Sequence, residues 1–384
     1  MSKPKFFITT TVARTLFFFS GQPRLWKEEF EVTAIAEEQD NLVRFAEEEG
    51  IRYKHIHMKR EISLIADLVS LFRWIWLLLK ERPYIVHGNT PKASLLSMVA
   101  AWLTRRPVRI YMLHGLRYQT TKELLRKVLL AIERLTCNCA THIICVSEGV
   151  RRQLIEDGLC KAEKATVIGY GTAGGIDTDS FSVEAIKEMP LVREKLEIPA
   201  NGFVFCFVGR IVKEKGINEL VSAFDRLSQE NNNVYLFLVG PSEKDLDPIA
   251  NETEEVIAEN KRIYAVGQQN DVRPWLAASD AFVLPSYREG VGMVLLEANA
   301  MCVPCIASDI IGCNDVVVEG VNGELVASQN TEALYQKMRE WLANPEKVAK
   351  MAATSRSHVL NHYEQSFVRD RAFNYYKQFS KAKK

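Results

Sequence analysis

The sequence predicts an α/β protein in which each half of the chain forms a doubly wound parallel sheet. Short apolar runs alternate with helical patterns through nearly all of its 384 residues, which is the pattern of successive βαβ units. Between the halves, the segment 169–175 contains four glycines, a composition typical of a hinge. A chain of this length accommodates two domains with separate cores, and we place them at 1–176 and 177–365.

The first apolar run, 6–10, is predicted to be a buried strand. Arg14 interrupts the apolar run and no clean cleavage site follows, so a signal peptide is the poorer interpretation. Further strands of the first half are predicted at 31–36, 85–87, 109–113, 142–146 and 165–168, with helices at 63–81, 92–103 and 122–139. In the second half we predict strands at 203–208, 234–239, 263–266, 281–285, 304–307 and 324–326, with helices at 216–229, 292–301 and 331–344. The aromatic and basic segment 366–384 is predicted to be a helix that packs across the domain junction and back onto the first domain.

Charge and cysteine content narrow the class of protein. Residues 1–176 hold 26 Lys and Arg against 18 Asp and Glu, whereas the remainder holds 23 against 30. A basic first half favours an anionic substrate or surface, although solvated charge is the simpler alternative. Eight cysteines without a secreted-type spacing indicate a reducing compartment. We therefore expect a cytoplasmic protein, peripheral at most on the inner face of the membrane, and no nucleic-acid partner, because no binding module is recognisable.

Two carboxylates frame the most informative segment of the chain, which contains Glu289, Gly290, Val291, Gly292, Met293 and Glu297. A glycine-bearing turn leads here into an apolar helix, whose free N–H groups and dipole favour an anion such as a diphosphate. The two carboxylates suit the hydroxyl groups of a sugar and a ribose. The segment thus predicts a nucleotide-sugar site, against the alternative that both glutamates are ordinary helix-start and surface charges.

A second motif follows the predicted strand 203–208. Gly209 ends that strand, and Arg210 and Lys215 then fall within one loop before the next helix. Arginine offers a planar donor fork and lysine a point charge, a good pair for diphosphate oxygens. We expect this loop to lie in the same half as the two glutamates, at the carboxyl end of a strand.

Together these motifs resemble those of the retaining GT-B glycosyltransferases of family four. The likeness rests on Gly209-Arg210-x4-Lys215-Gly216 and on Glu289-Gly290-x-Gly292-x4-Glu297, and it extends over nearly the whole chain. The sequence is similar in particular to bacterial members of that family that build capsule, O-antigen or lipid-linked oligosaccharide. The resemblance implies the GT-B fold, with two Rossmann-like domains facing an interdomain cleft.

The resemblance also implies a role for each matching residue. Arg210 and Lys215 would bind the donor diphosphate and stabilise the leaving charge, Glu289 would hold the transferred sugar, and Glu297 would hold the ribose. Further donor contacts would come from Gly209, Gly267, Gly290, Val291, Gly292 and Met293. In the first half, His114 would serve the reaction centre, and the acceptor side would include Gly21, Arg24, His87 and Thr90. Each histidine could instead be a core residue with satisfied ring nitrogens.

No metal or other cofactor is expected. Asp177 and Asp179 form a D-x-D that could bridge a cation to a diphosphate, but they lie in the linker, away from the predicted phosphate loop. Cys302 and Cys305 form a C-x-x-C with no second ligand pair at a suitable spacing, which favours core packing.

Basic pairs such as Arg105-Arg106 and Arg126-Lys127 occur along the first half, with aromatic residues and leucines interleaved, especially at 71–79 of the predicted helix 63–81. Such a surface suits an anionic membrane. An equally good interpretation is that 71–79 belongs to a buried helix.

The predicted function is transfer of a hexose or N-acetylhexosamine, with retention, from a nucleotide diphosphate donor. We expect a uridine-linked donor and a polyprenyl diphosphate-linked saccharide as the acceptor, in surface polysaccharide biosynthesis. Two alternatives stay open: a nucleotide-sugar epimerase of the same architecture, and a non-catalytic nucleotide-sugar-binding protein.

Overall fold

A computed structural model describes residues 3–59, 63–189, 191–243 and 247–380 of the protein. Its internal contacts divide the chain into two units. Unit 1 comprises Met1–Gly175 and Gln365–Lys384, and unit 2 comprises Ile176–Glu364. Each unit contains one parallel β-sheet with helices between its strands, so the predicted α/β class is confirmed.

Unit 1 is built on seven strands in the order β3-β2-β1-β4-β5-β6-β7. These strands are β1 (Lys5–Thr9), β2 (Glu31–Ala36), β3 (Arg52–His55), β4 (Ile85–Gly88), β5 (Val108–Leu113), β6 (His142–Cys145) and β7 (Ala165–Val167). The connecting helices are α1 (Gln22–Trp26), α2 (Gln39–Glu49), α3 (Leu64–Glu81), α4 (Pro91–Leu103), α5 (Glu123–Cys139) and α6 (Glu148–Glu156).

Unit 2 is built on six strands in the order β10-β9-β8-β11-β12-β13. These strands are β8 (Phe203–Val208), β9 (Val234–Val239), β10 (Ile263–Gly267), β11 (Ala281–Leu284), β12 (Cys305–Ser308) and β13 (Gly323–Val326). The helices are α7 (Val192–Lys195), α8 (Ile217–Glu230), α9 (Asn251–Glu259), α10 (Arg273–Ala277), α11 (Met293–Ala300), α12 (Thr331–Ala343) and α13 (Pro345–His362); α14 (Gln365–Lys377) follows and belongs to unit 1.

Strand order reverses once in each sheet. In unit 1 the reversal lies between β1 and β4, and in unit 2 it lies between β8 and β11. At such a switch point the loops after the two strands diverge and leave a crevice at the carboxyl ends, where α/β proteins bind ligands. The loops after β1, β4, β8 and β11 are therefore where sites are expected.

The final helix, α14, packs against α1 in unit 1. Its Tyr376 is buried, lies 5.0 Å from the Trp26 ring centroid, and shares a hydrogen bond of 2.9 Å with His87. Four residues at the end of the predicted segment, 381–384, lie outside the described residues.

One strand of the described chain was absent from the predicted set. β3 has the sequence Arg-Tyr-Lys-His and is largely exposed, because it forms the edge of the first sheet and pairs only with β2. A polar edge strand carries no apolar pattern, so neither hydropathy nor alternation identifies it.

Candidate functional site

The switch point of unit 2 brings two of the predicted residues into direct contact. Lys215 lies on the loop after β8 and Glu289 on the loop after β11, and their Nζ and Oε1 atoms are 2.5 Å apart. The two side chains are only 20% and 14% exposed, so the pair is partly shielded from water. Because a lysine ammonium has three donors, two remain for other acceptors after Glu289 has taken one.

A glycine allows these loops to approach each other. Gly216 has φ of 72°, and a Cβ atom built on it would lie 2.0 Å from the carbonyl oxygen of Pro285. Nearby, the Tyr287 N–H donates to the Glu214 carbonyl oxygen at 2.9 Å. Arg288 also forms an ion pair with Glu214 at 2.7 Å. The position of Lys215 is thus set by backbone packing between the two loops.

We expect Gly216→Ala to lower both thermal stability and activity, because the new methyl group cannot fit beside Pro285. Gly320→Ala is the matched control, since Gly320 also has φ of 72° but has open space around it. The left-handed conformation alone costs about 1 kcal/mol, so the control should lose a few degrees in Tm at most. A similar loss in both variants, measured by thermal unfolding, would show that the close approach is unimportant.

The start of α11 offers fewer free amides than predicted. Gly292 donates its N–H to the Gly312 carbonyl oxygen at 3.0 Å, and Met293 donates to the Val291 carbonyl oxygen at 2.7 Å. Both amides thus donate to carbonyl oxygens within the protein, and their predicted approach to the phosphates or the sugar stays a prediction. The N–H groups of Gly290 and Val291 have no acceptor among the described residues and remain available.

Glu297 lies on α11, eight residues after Glu289 in the chain. Burial raises the pKa of its carboxyl group to about 7, since desolvation disfavours the charged form. Within the described part of the chain, no donor satisfies this carboxylate. A buried carboxylate that lacks a donor favours a ligand that supplies hydroxyl groups.

Arg210 is held by a partner that the sequence did not indicate. Its Nη1 atom lies 2.7 Å from Oε2 of Glu243, on the loop after β9, and the arginine side chain is 41% exposed. Glu243 could not be chosen from the sequence because its loop becomes a neighbour only through the pairing of β8 with β9.

The three strand ends beside Arg210 carry glycines. A Cβ atom on Gly240 would lie 1.9 Å from the carbonyl oxygen of Gly209, and the Gly240 N–H donates to the Gly267 carbonyl oxygen at 2.9 Å. Gly267 has φ of 67° and no atom within 4 Å of a Cβ position. Open space beside it leaves room for a flat ligand group such as a base.

His114 lies in unit 1 directly after β5 and is half-buried. Its ring centroid is 6.4 Å from that of Phe18 and 6.3 Å from that of Phe19. Burial lowers its pKa to about 4, so the imidazole is neutral at physiological pH. In this state it can donate or accept a hydrogen bond but cannot serve as a fixed positive charge.

His87 does not have the position of an acceptor-side residue. It is fully buried, with Nε2 sharing a hydrogen bond of 2.9 Å with the Tyr376 hydroxyl and Nδ1 lying 3.0 Å from Nδ2 of Asn89. Desolvation lowers its pKa to about 3. Both ring nitrogens are occupied inside the core, so the alternative interpretation, a satisfied core histidine, is the one that the structure supports.

The other predicted acceptor-side residues of unit 1 lie on loops or, for Arg24, on α1. Gly21 has φ of 80° and donates its N–H to Glu49 at 2.6 Å, and the Arg24 guanidinium donates to the Glu48 carbonyl oxygen at 2.6 Å. Thr90 precedes α4, and its Oγ1 accepts the N–H of Thr11 at 2.8 Å. This last bond joins the loops after β1 and β4 at the switch point.

The two motifs that could have bound metal have local partners. Asp177 accepts the N–H and the hydroxyl of Ser180 at 3.1 and 2.8 Å, an arrangement that closes a turn. Cys305 is a free thiol buried in β12, whereas Cys302 is exposed, so the predicted core packing is right for Cys305 and wrong for Cys302. Among the residues that the structure describes, no three His, Cys, Asp or Glu side chains are grouped so that they could hold a metal ion.

None of the helices in the described ranges has the length and hydropathy needed to cross a bilayer.

Comparison with known proteins identifies the family. A model described as Glycosyltransferase Family 4 matches residues 23–178, and one described as Glycosyl transferases group 1 matches residues 188–358. The capsular polysaccharide biosynthesis glycosyltransferase CapM of Staphylococcus aureus is 33% identical over 99% of both chains. The Escherichia coli UDP-Gal:alpha-D-GlcNAc-diphosphoundecaprenol alpha-1,3-galactosyltransferase is 30% identical over 78% of this chain and 76% of its own.

Solved structures agree with this fold. Anabaena Alr3699/HepE, crystallised in complex with UDP, superposes with a TM-score of 0.79 at 19% identity, covering 97% of this chain and 100% of its own. With full-length similarity to CapM and a family model matched in each half, the chain belongs to the GT-B glycosyltransferases of the family 4 and group 1 type.

Proposed function

We propose that this glycosyltransferase moves a hexose or N-acetylhexosamine from a UDP-linked donor to a lipid-linked saccharide, with retention of anomeric configuration. The reaction would belong to capsule or related surface polysaccharide biosynthesis, at the cytoplasmic face of the membrane. The observation that carries the proposal is the Lys215–Glu289 pair at the switch point of unit 2, together with Glu297 on the following helix, whose carboxylate has no donor among the described residues.

Each group of this site matches one part of a nucleotide sugar. The second oxygen of Glu289 would accept a sugar hydroxyl, and the Glu297 carboxylate would accept the ribose hydroxyls. The free N–H groups of Gly290 and Val291 suit the phosphates at the entry to α11. Gly267 leaves space for the base.

Positive charge would stabilise the departing diphosphate. In the transfer step the C1–O bond to the diphosphate breaks and its electron pair leaves with the diphosphate. The acceptor oxygen bonds to C1 and gives its proton to an oxygen of the departing diphosphate. Lys215 and Arg210 supply two cations on one loop of unit 2, where negative charge develops on the leaving group. With these cations and the α11 start available, we propose that transfer needs no metal ion.

The relatives support the substrate class. CapM is a capsular polysaccharide glycosyltransferase by name, and the named reaction of the Escherichia coli relative uses UDP-galactose and a saccharide linked to diphosphoundecaprenol. We therefore propose a UDP-linked donor and a polyprenyl diphosphate-linked acceptor for this chain too.

A donor panel tests the proposal. The protein would be incubated with UDP-glucose, UDP-galactose and their N-acetyl counterparts, each with a short-chain polyprenyl diphosphate saccharide, in the presence of EDTA. We expect glycosylated acceptor from one or few donors, with the anomeric configuration of the donor in the product as read by NMR. No transfer together with no donor binding by calorimetry would refute the proposal.

The alternatives give different results in the same experiment. A changed sugar nucleotide that forms without acceptor would indicate an epimerase. Tight donor binding with neither hydrolysis nor transfer on long incubation would indicate a non-catalytic binding protein. An inverted product would retain the transferase but remove the proposed stereochemistry.

Two helices of unit 1 support membrane association. α3 is apolar on two opposite faces. Trp74, Leu77 and Leu78 are buried on one face, whereas the apolar residues of the other face are more than half exposed. That face contains Ile65, Leu68, Phe72, Trp76 and Leu79. The burial expected of 71–79 thus applies to one side of the helix, and the exposed side supports the proposed membrane contact. Exposed apolar rows of this size mark interaction surfaces.

α5 also has exposed apolar side chains, and exposed cations lie among them. Its exposed apolar residues are Leu124, Leu125, Val128 and Leu135, and they alternate with the exposed cations Lys122, Arg126, Lys127 and Arg134. α4 packs against both α3 and α5, which places the two apolar helices on either side of it. Apolar side chains interleaved with cations suit the headgroup region of an anionic bilayer.

Vesicle flotation tests this surface. We expect the protein to float with phosphatidylglycerol-containing vesicles and to remain unbound with phosphatidylcholine alone. Phe72→Glu combined with Trp76→Glu should abolish flotation, whereas Leu360→Glu, at an exposed leucine of α13 in unit 2, should not. Equal flotation of the wild type and the double variant would rule out α3 as the docking face.

A further inference from the structure

A basic groove lies at the switch point of unit 1, at the carboxyl ends of β1 and β4. It has a volume of about 680 Å³ and is formed by the loop after β1, α2, the start of α4 and the turn after β5. None of its lining residues is acidic, and four are cationic: Arg14, Arg44, Lys92 and Arg117. A concentration of like charge at a ligand-binding position of the fold indicates an anionic ligand.

Two of these cations have no acidic partner in the described ranges. Arg14 and Arg117 are exposed and take part in no ion pair there. Lys92 bonds to Asp67 at 2.8 Å, and Arg44 forms an exposed pair with Glu48 at 2.8 Å. Like charges that face one groove without neutralising acids repel each other, and a bound anion relieves this repulsion.

The groove also has an apolar wall beside the predicted reaction centre. Phe17 and Phe18 line it, and the Phe18 side chain is 55% exposed. The Phe18 ring centroid lies 6.4 Å from that of His114, and Arg117 comes three residues after His114 in the chain. A ligand in the groove would therefore place its sugar within reach of His114.

The groove opens next to both exposed apolar helices. Lys92 is joined by its ion pair to Asp67, in the first turn of α3, where Ile65 and Leu68 are exposed. Arg117 lies shortly before the first turn of α5, where Leu124 is exposed. An anion bound between these helix starts would have apolar surface on both sides, which suits a ligand with a charged head and a hydrocarbon tail.

The walls of the groove are held in place by the backbone. Thr90 joins the loops after β1 and β4 through Thr11, with bonds of 2.8 Å to its N–H and its hydroxyl. On the other side, a Cβ atom on Gly174 would lie 2.1 Å from the Phe18 carbonyl oxygen, so only glycine permits this packing. The groove is thus a built feature of unit 1.

We propose that this groove binds the diphosphate of the lipid-linked acceptor, with Arg14 and Arg117 as its principal contacts. The inference rests on the proposed function and adds to it the residues that select a charged acceptor. The diphosphate diester of a polyprenyl saccharide carries two negative charges, and planar guanidinium groups bind phosphate oxygens in a bidentate manner. The aromatic wall would cover the first sugar, and the hydrocarbon would leave along α3 and α5.

Acceptor kinetics test the groove. The variants Arg14→Gln, Arg117→Gln and their combination would be assayed with the diphosphate-linked acceptor and with the same saccharide on an uncharged alkyl chain. We expect the KM for the diphosphate-linked acceptor to rise about 10- to 100-fold, since charge-assisted hydrogen bonds are lost. The KM for the donor and the KM for the uncharged acceptor should change little. Arg152→Gln, at an exposed arginine of α6 outside the groove, is the matched control.

A binding measurement separates failure of this inference from failure of the proposed function. Farnesyl diphosphate would be titrated in the presence of saturating UDP, which fills the nucleotide site. Binding that weakens at least tenfold in the double variant, and that is weaker for farnesol, supports the groove even if no transfer is seen. Equal binding by the wild type and the double variant, or an equal rise in KM for both acceptors, overturns the inference.

Discussion

Replacing Lys215 with alanine is expected to lower kcat/KM by about two to three orders of magnitude, or ~3–4 kcal/mol of transition-state stabilisation. The reason is that its ammonium, held 2.5 Å from Glu289 and mostly shielded from water, is positioned where charge develops on the leaving diphosphate. Steady-state kinetics with the preferred donor would measure the loss. The fall should appear chiefly in kcat, because the charge on the diphosphate grows as the C1–O bond breaks.

Lys213→Ala is the matched control for this prediction. Lys213 lies in the same short 3-10 turn, but its side chain is exposed, so its loss should change activity less than threefold. Removing Lys215 also leaves Glu289 without its partner, so thermal unfolding must show that the variant is folded. The combination of Lys215→Ala with Glu289→Gln removes that unpaired charge and should restore stability but not activity. Near-normal turnover in folded Lys215→Ala would remove the phosphate assignment.

Glu297→Gln is expected to have opposite effects on stability and on donor binding. Burial raises the pKa of this carboxyl to about 7 from an ordinary value of 4.5, so the folded protein retains the proton more tightly than the unfolded chain. The stability that comes from the retained proton is present below pH 4.5 and is lost as the pH rises toward 7. Glutamine is neutral at every pH, so the variant should be more stable than the wild type at pH 8, by about 1–3 kcal/mol.

Donor affinity should move the other way in the same variant. An ionised Glu297 can accept two ribose hydroxyls, and its replacement should weaken UDP binding about 10- to 100-fold at pH 8. In the wild type, UDP affinity should fall about tenfold between pH 8 and pH 6 as the carboxylate is protonated. The variant lacks this titrating group, so its UDP affinity should not show this fall.

Calorimetric titration of UDP and thermal unfolding, both measured across this pH range, test the pair of effects. Glu255→Gln, at an exposed glutamate of α9 with no partner among the described residues, is the control and should change neither quantity. A variant that loses both stability and affinity would show that Glu297 is a structural residue.

Much of the fold could be predicted because buried parallel strands are apolar runs that the sequence displays directly. The run 203–208 became β8 with unchanged bounds, and 234–239 became β9. β3 could not be predicted in this way, because an edge strand is defined by its neighbour and not by its own hydropathy. Polar and exposed, it is a strand only because β2 offers unpaired backbone groups.

The residues of the candidate site differ in the same way: local motifs indicate some of them, whereas others are defined only by distant partners. Lys215, Glu289 and Glu297 could be chosen from the sequence because each lies in a short motif at the end of a strand or at the start of a helix. The structure shows partners that the sequence did not indicate: Gly292 and Met293 donate their amides to carbonyl oxygens within the protein, and the buried His87 is bonded to Tyr376. These partners lie far apart in the chain, so no local pattern indicates them.

By itself, the sequence determined the alternation of strands and helices, the two halves and the donor-side motifs, because these depend on local apolar periodicity and on residues a few positions apart. Only the tertiary structure decided which loops meet. The order of the strands brings the loop after β1 to the loop after β4, and the loop after β8 to the loop after β11. The groove lined by Arg14 and Arg117 and the contact between Lys215 and Glu289 both arise from that order, because pairing between strands distant in the chain sets which side chains are neighbours.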